Sequence, residues 1–174
     1  KGDQILFGLL TGSYGKNKSG GVLRKKVGSI NDEINSADGT FKIPSDGNSI
    51  IGTLNLLRIY GYRFDEGHYH SKTGSDDCIW GLSSFDNNKC TNWGNPQAEI
   101  YLESLRYLAG KKTPNFDVDD ATKIPNLKRV ETWNDPVSTA ADGNFCAPLN
   151  VLKFNASTTS YDTDDLAGAS SWAE

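Results

Sequence analysis

Gln4-Ile5-Leu6-Phe7-Gly8-Leu9-Leu10-Thr11 is the stretch on which the fold class turns. Its hydrophobicity is nearly continuous instead of alternating, the pattern of a strand covered on both faces, and it predicts a central strand. A second such run, Leu149-Asn150-Val151-Leu152-Lys153-Phe154, stands near the far end of the chain. Two buried strands separated by helices make half of a doubly wound sheet. The expected class is therefore α/β, with long loop and hairpin insertions between the elements.

Working outward, residues 14–21 are rich in Gly, Lys, Asn and Ser, and residues 22–34 alternate loosely. Asp38-Gly39 and Asp46-Gly47 then offer two turns with left-handed positions, which suggests a small hairpin excursion. Ile50, Ile51, Leu54, Leu57 and Tyr60 follow helical spacing, with Asn48 or Ser49 as cap and Gly61 as stop, predicting a helix over about 49–60. The strongest local signal predicts a helix over about 95–109. Asn95 caps it, Pro96 fits the first position, Glu99 and Glu103 suit the positive end, and Gly110 followed by two Lys suits the negative end. Ala98, Tyr101, Leu102, Leu105, Leu108 and Ala109 form its apolar face, so Leu102 and Leu105 are expected to meet the core. Residues 112–145 carry three Pro, scattered Asp and Asn and no sustained period, and read as a long surface excursion.

The chain has 174 residues, enough for one domain, and residues 1–174 read as a single domain or a fragment of one. Eighteen basic against 22 acidic side chains leave a formal charge of −4, which removes the electrostatic footprint of a nucleic-acid binder. No apolar run approaches the ~20 residues that span a bilayer. The chain lacks Met even at position 1 and leads straight into a strand-like run, so it is expected to be a piece of a longer chain. No signal peptide is visible, and compartment has to be read from cysteine. Cys78 and Cys90 enclose eleven residues, mostly polar, that burial could not order; either a disulfide staples them or both are free thiols. Cys146 is left over.

The residues also carry a likeness. Gly20-Gly21-Val22-Leu23-Arg24, Ser29-Ile30-Asn31-Asp32-Glu33-Ile34-Asn35, Ile50-Ile51-Gly52-Thr53-Leu54 and Trp93-Gly94-Asn95-Pro96 belong to it. So do Glu103-Ser104-Leu105-Arg106-Tyr107-Leu108-Ala109-Gly110 and Phe145-Cys146-Ala147-Pro148-Leu149-Asn150, with Phe154-Asn155-Ala156-Ser157 and Ser160-Tyr161-Asp162 after them. In order and spacing they resemble the PilC/PilY family of type IV pilus tip-associated proteins over nearly the whole chain. The resemblance implies the later part of a von Willebrand factor A-like domain, enlarged by insertions. It implies a secreted protein at the pilus tip or outer-membrane surface that assists pilus assembly and mediates adhesion, in accord with a Cys78–Cys90 disulfide. The implied partners are minor pilins or other tip subunits, and a host surface protein or glycan. Domains of this type often hold a divalent cation between three loops. Here Asn95 would stand near the Thr position of the second loop, while Asn155-Ala156-Ser157 occupies the third, where Ala156 has no oxygen to offer. Asn95 is thus the one candidate ligand for that cation, and Ca²⁺ or Mg²⁺ is expected to bind weakly if at all.

Other constellations compete for function. His68 and His70, with Glu66, Asp76 and Asp77 nearby, would suit Zn or Cu and hence a metal-dependent hydrolase, or they are solvated loop residues. Asp117, Asp119 and Asp120, like Asp162, Asp164 and Asp165, lack the Gly hinge and terminal Glu of an EF-hand and read as caps or solvated charges. Trp80, Trp93 and Trp133 are candidates to stack on sugar rings or anchor a protein partner, or else they fill space beneath the insertions. Thr11-Gly12-Ser13-Tyr14-Gly15 follows a strand but lacks the Gly-Lys-Ser/Thr ending of a phosphate loop, so it reads as a turn. No Gly-x-Ser-x-Gly elbow exists. The sequence as a whole points to an adhesion or assembly module and not to an enzyme. Its alternatives are a pure scaffold docking on minor pilins and a hydrolase built on His68 and His70.

Overall fold

A computed structural model describes residues 4–60, 62–69, 86–139, 144–162 and 166. Strand β1 (Phe7–Thr11) pairs antiparallel with β2 (Val22–Gly28), matching Leu10 with Leu23 and Thr11 with Val22. The short helix α1 (Ile50–Leu56) follows, then the two-residue strands β3 (Tyr62–Arg63) and β4 (His68–Tyr69), paired with each other, and α2 (Gln97–Leu108).

Among the described residues the first strand has a neighbour on one edge only. Phe7 is 42% exposed and Ile5 lies outside the ladder, because the chain turns back on itself at once and the loosely alternating residues 22–28 become the partner. On the far side of β2, the Val130 N–H donates to the Leu23 carbonyl at 2.8 Å. That bond belongs to a larger correction. The segment read as a surface excursion supplies most of the buried apolar side chains among the described residues: Phe116, Ile124, Leu127, Val130 and Trp133. Leu23, Tyr107, Val130 and Trp133 form one cluster, with Leu10 and Val27 against it. An irregular chain has no period to betray which residues point inward, so pattern reading cannot find a core built this way.

Both helices are shifted or turned relative to expectation. Ser49 does cap α1, its side chain accepting from the Gly52 N–H, and buried Glu33 adds a second cap by accepting from Ile50 and Ile51 at 2.7 and 2.9 Å. The helix ends at Leu56 instead of about 60, because Leu57 is extended and the Tyr14 hydroxyl claims both the N–H and the carbonyl of Arg58. In α2 the buried stripe is Glu99, Glu103 and Tyr107, while Leu102 and Leu105 are only half-buried and Tyr101 is 44% exposed. Close approach makes this possible: a Cβ on Gly21 would stand 2.9 Å from Glu103 Cβ. At the other end, the Glu103 carboxylate accepts from the backbone N–H groups of Asn115 and Phe116 and stitches the irregular segment to the helix.

Burial pushes the Glu103 carboxyl above its ordinary 4.5, against the lowering effect of those two N–H groups and of Arg106; burial likewise raises Asp117 above 3.8 despite Arg129. A carboxyl whose folded-state pKa lies above the unfolded one stabilises the fold below the unfolded value and loses that contribution as pH rises through the folded value. Glu103→Gln keeps an oxygen acceptor but cannot ionise. Urea midpoints are expected to favour the variant over wild type more at pH 7 than near pH 4.5. An equal difference at the two pH values would contradict the assignment.

Candidate functional site

The residues singled out from sequence fall into two groups in space. The first lies at the entrance to α2. Asn95 does not cap that helix; Pro96 holds the cap position without a side-chain bond, and the Asp162 carboxylate accepts the Ala98 N–H from across the junction. Asn95 instead bonds to the segment after Phe154. Its backbone exchanges N–H···O bonds of 3.2 Å with Ser160 in both directions. Its Nδ2 faces Asn155 Oδ1 at 2.9 Å, Ser157 Oγ at 3.0 Å, and the Thr158 and Ser157 carbonyls at 3.1 and 3.3 Å. Its Oδ1 accepts from Gln97 Nε2 at 2.6 Å. The structure thus brings Asn95 to the Asn155-Ala156-Ser157 segment, the two places that the likeness pairs. Four oxygens surround one neutral amide nitrogen, which has two hydrogens to share among them. The donor set is uncharged, and the amide itself engages these oxygens, so the arrangement acts as a staple.

The second group surrounds the turn from Lys89 to Gly94. Asn17, buried in the loop after β1, donates from Nδ2 to the carbonyls of Lys89, Cys90 and Trp93 at 2.8–3.0 Å and accepts the Asn88 N–H at its Oδ1. One amide thereby organises the turn. Gly94 completes it at φ +97°, where a Cβ would lie 2.4 Å from the Asn17 carbonyl oxygen. Asn17 escaped sequence reading because an Asn in a polar loop carries no local mark of burial. Cys90 is disulfide-bonded and Cys146 is a free, exposed thiol; Cys78 lies outside the described residues.

The tryptophans separate. Trp133 is 2% exposed and packs edge-on against Tyr107, ring centroids 5.4 Å apart, so it belongs to the core and offers no face to a partner. Trp93 is half-buried in the Asn17 turn, and Trp80 lies outside the described residues. His68 sits on β4 opposite Arg63 of β3, while His70 also lies outside the described residues. Among the described residues, no three His, Cys, Asp or Glu side chains are grouped to hold a metal ion.

The acidic run after Phe116 is built into the fold. Asp119 caps a 3₁₀ turn over Asp120–Thr122, as expected of a cap. Asp120 is fully buried. Its Oδ1 accepts from the Ser13 hydroxyl and the Tyr14 and Gly15 N–H groups at 2.9–3.1 Å, and its Oδ2 meets Arg24. The glycine-rich turn after β1 therefore does cradle an anion, and the anion is the chain's own carboxylate. A groove of about 440 Å³ opens between Lys25–Ser29 of the β2 region and Val130–Thr132. Lys25, on its wall, is engaged by Asp32 and lies 3.7 Å from Glu33.

Residues 7–174 match the family described as PilY1 homolog, second domain. This chain belongs to that family. It is also 30% identical over 182 aligned positions to the type IV pilus biogenesis factor PilY1 homolog of Xylella fastidiosa strain Temecula1, an alignment covering 96% of this chain and 12% of that protein. The chain thus spans about an eighth of the length of that curated relative. No solved structure matches it. No helix among the described residues is long and apolar enough to cross a membrane.

Proposed function

We propose that this PilY1-homolog domain is a binding and assembly module of a type IV pilus factor, working outside the cell at the pilus tip or outer-membrane surface and not as an enzyme. Family membership supports the pilus context, through the name that its relative carries. The observation that carries the binding role is the outward turn of α1. Thr53 faces in, while Leu54 is 53% exposed and Phe41 and Ile43 of the preceding hairpin are exposed too. Ile43 lies against the helix, since a Cβ on Gly52 would stand 2.6 Å from its Cδ1. Exposed apolar groups gathered around one element mark a protein-binding surface. A protein partner such as a minor pilin suits that surface, whose exposed groups are Phe41, Ile43 and Leu54.

Pull-down of minor pilins by the purified domain, compared with Phe41→Asp/Leu54→Asp, tests this reading. Capture by wild type that drops at least tenfold in the variant is expected. Equal capture, or capture by neither alongside retention on host glycans, would refute it.

We read the fold as part of a von Willebrand factor A-like sheet, and we pair Cys90 with Cys78. Peptide mapping without reduction is expected to recover Cys78 linked to Cys90 and Cys146 alkylated. Recovery of alkylated Cys78 would exclude that pairing.

A further inference from the structure

Cys90 stands in a backbone conformation that an L residue rarely takes, φ +48°, and Asn88 before it is at φ +68°. Such conformations persist only where the surroundings over-determine them. Here the surroundings are the loop after β1. The bonds from Asn17 to the carbonyls of Lys89, Cys90 and Trp93 reach 72 to 76 positions along the chain. The next residues add to them: the Lys18 N–H donates to Asn87 Oδ1 at 2.9 Å, and Asn87 Nδ2 donates to Ser19 Oγ at 3.1 Å. That loop is itself held, because the Lys16 N–H donates to the Ser13 hydroxyl, which donates in turn to buried Asp120. None of these bonds involves sulfur, and Asn17 and Cys90 are 3% and 6% exposed. The left-handed backbone of Cys90 is therefore fixed by contacts that owe nothing to its disulfide.

We propose that Asn17 is a positioning residue for that disulfide: it holds Cys90 so that the bond closes on a turn the fold has already built. The proposal rests on the pairing of Cys90 with Cys78. Closure by a small-molecule disulfide of the glutathione class takes two exchanges. One protein thiolate attacks the reagent and releases one thiol, leaving a mixed disulfide; the other protein thiolate then attacks the protein sulfur of that disulfide and releases the second thiol. Two protein thiols are oxidised, and one reagent disulfide is reduced to two thiols. With Cys90 already held, less conformational freedom is lost in the second exchange, and the equilibrium moves toward the closed bond.

Equilibration of the 174-residue chain with reduced and oxidised glutathione, followed by acid quench and peptide mapping, gives the constant for closing Cys78–Cys90. Asn17→Asp keeps an oxygen to accept the Asn88 N–H but faces the three carbonyls without a donor. It is expected to lower that constant about tenfold, equivalent to about 30 mV toward easier reduction. Asn17→Ser, whose hydroxyl can serve one carbonyl, is expected to fall between it and wild type, and keeps the comparison open if the Asp variant does not fold. Val130→Ala weakens the core cluster instead and is expected to leave the constant within about twofold of wild type. In concentrated urea, where the turn is lost, all four chains are expected to agree. Asn17 variants that match wild type overturn the proposal. So does an equal fall in Val130→Ala, which would assign the effect to general stability, or a difference that persists in urea. Linkage of Cys90 to Cys146 would refute the pairing itself, and the wild-type map gives that result before any variant is compared.

Discussion

Asp120→Ala is expected to cost the domain about 3–5 kcal/mol, the range for removing one partner of a buried ion pair. Both side chains of the pair are fully buried, so the guanidinium of Arg24 would be left in the interior without its counter-charge. Arg24 would keep its bonds to Thr11 Oγ1 at 2.9 Å and to the Lys128 carbonyl at 3.1 Å, but neither partner carries a charge. The Ser13 hydroxyl and the Tyr14 and Gly15 amides would lose their acceptor in the same stroke. Replacing both partners, as in Arg24→Met/Asp120→Leu, is expected to cost less than the sum of the single changes, since no lone charge remains. Urea denaturation of the three variants decides it; a loss below about 1 kcal/mol for Asp120→Ala would show that water reaches the pair.

Trp133→Ala should be comparably damaging, at about 3–5 kcal/mol, because it empties the centre of the cluster formed with Leu23, Tyr107 and Val130. The indole also meets Tyr107 edge to face, at an interplanar angle of 76°, an arrangement that adds to simple burial. Leu105→Ala provides the contrast. Periodicity alone would place Leu105 in the core and assign it a loss of about 2–5 kcal/mol. Half-buried on the outer side of α2, it is expected to lose about 1 kcal/mol or less. Thermal melts of the two variants side by side check the inversion, and a larger loss for Leu105→Ala would restore the periodic reading.

What could be read from sequence was what neighbouring residues determine. Ser49 caps a helix, Gly39 and Gly47 take left-handed turns, and Gly110 ends α2 at φ +76°, all from local steric and hydrogen-bonding rules. The approximate position of α2 was legible for the same reason. Its orientation was not. Amphipathic reasoning assumes that apolar residues turn inward, but Glu103 is drawn in by the backbone N–H groups of Asn115 and Phe116, residues of an irregular segment that carries no pattern. Leu149–Phe154, exposed and outside any ladder among the described residues, shows the opposite failure, since a strand-like sequence cannot form a ladder unless another strand lies beside it. Of the candidate site, the family likeness singled out Asn95 and Asn155-Ala156-Ser157 but not the hydrogen bonds between them, and the Asn17 hub and the burial of Trp133 likewise depended on contacts between distant parts of the chain.

The carboxylate seated in the turn after β1 also bears on the order of folding. A hairpin of adjacent strands ordinarily closes early, because its ends are near in sequence. Here the turn joining β1 to β2 receives its acceptor from a residue 105–107 positions away. A peptide of residues 4–28 contains both strands but not the anion that its own loop encloses. Closure of the hairpin and arrival of the 3₁₀ turn at Asp120 therefore belong to one event, gated by a long loop closure. The first strand pair of the chain is therefore expected to reach its full stability only when Asp120 arrives.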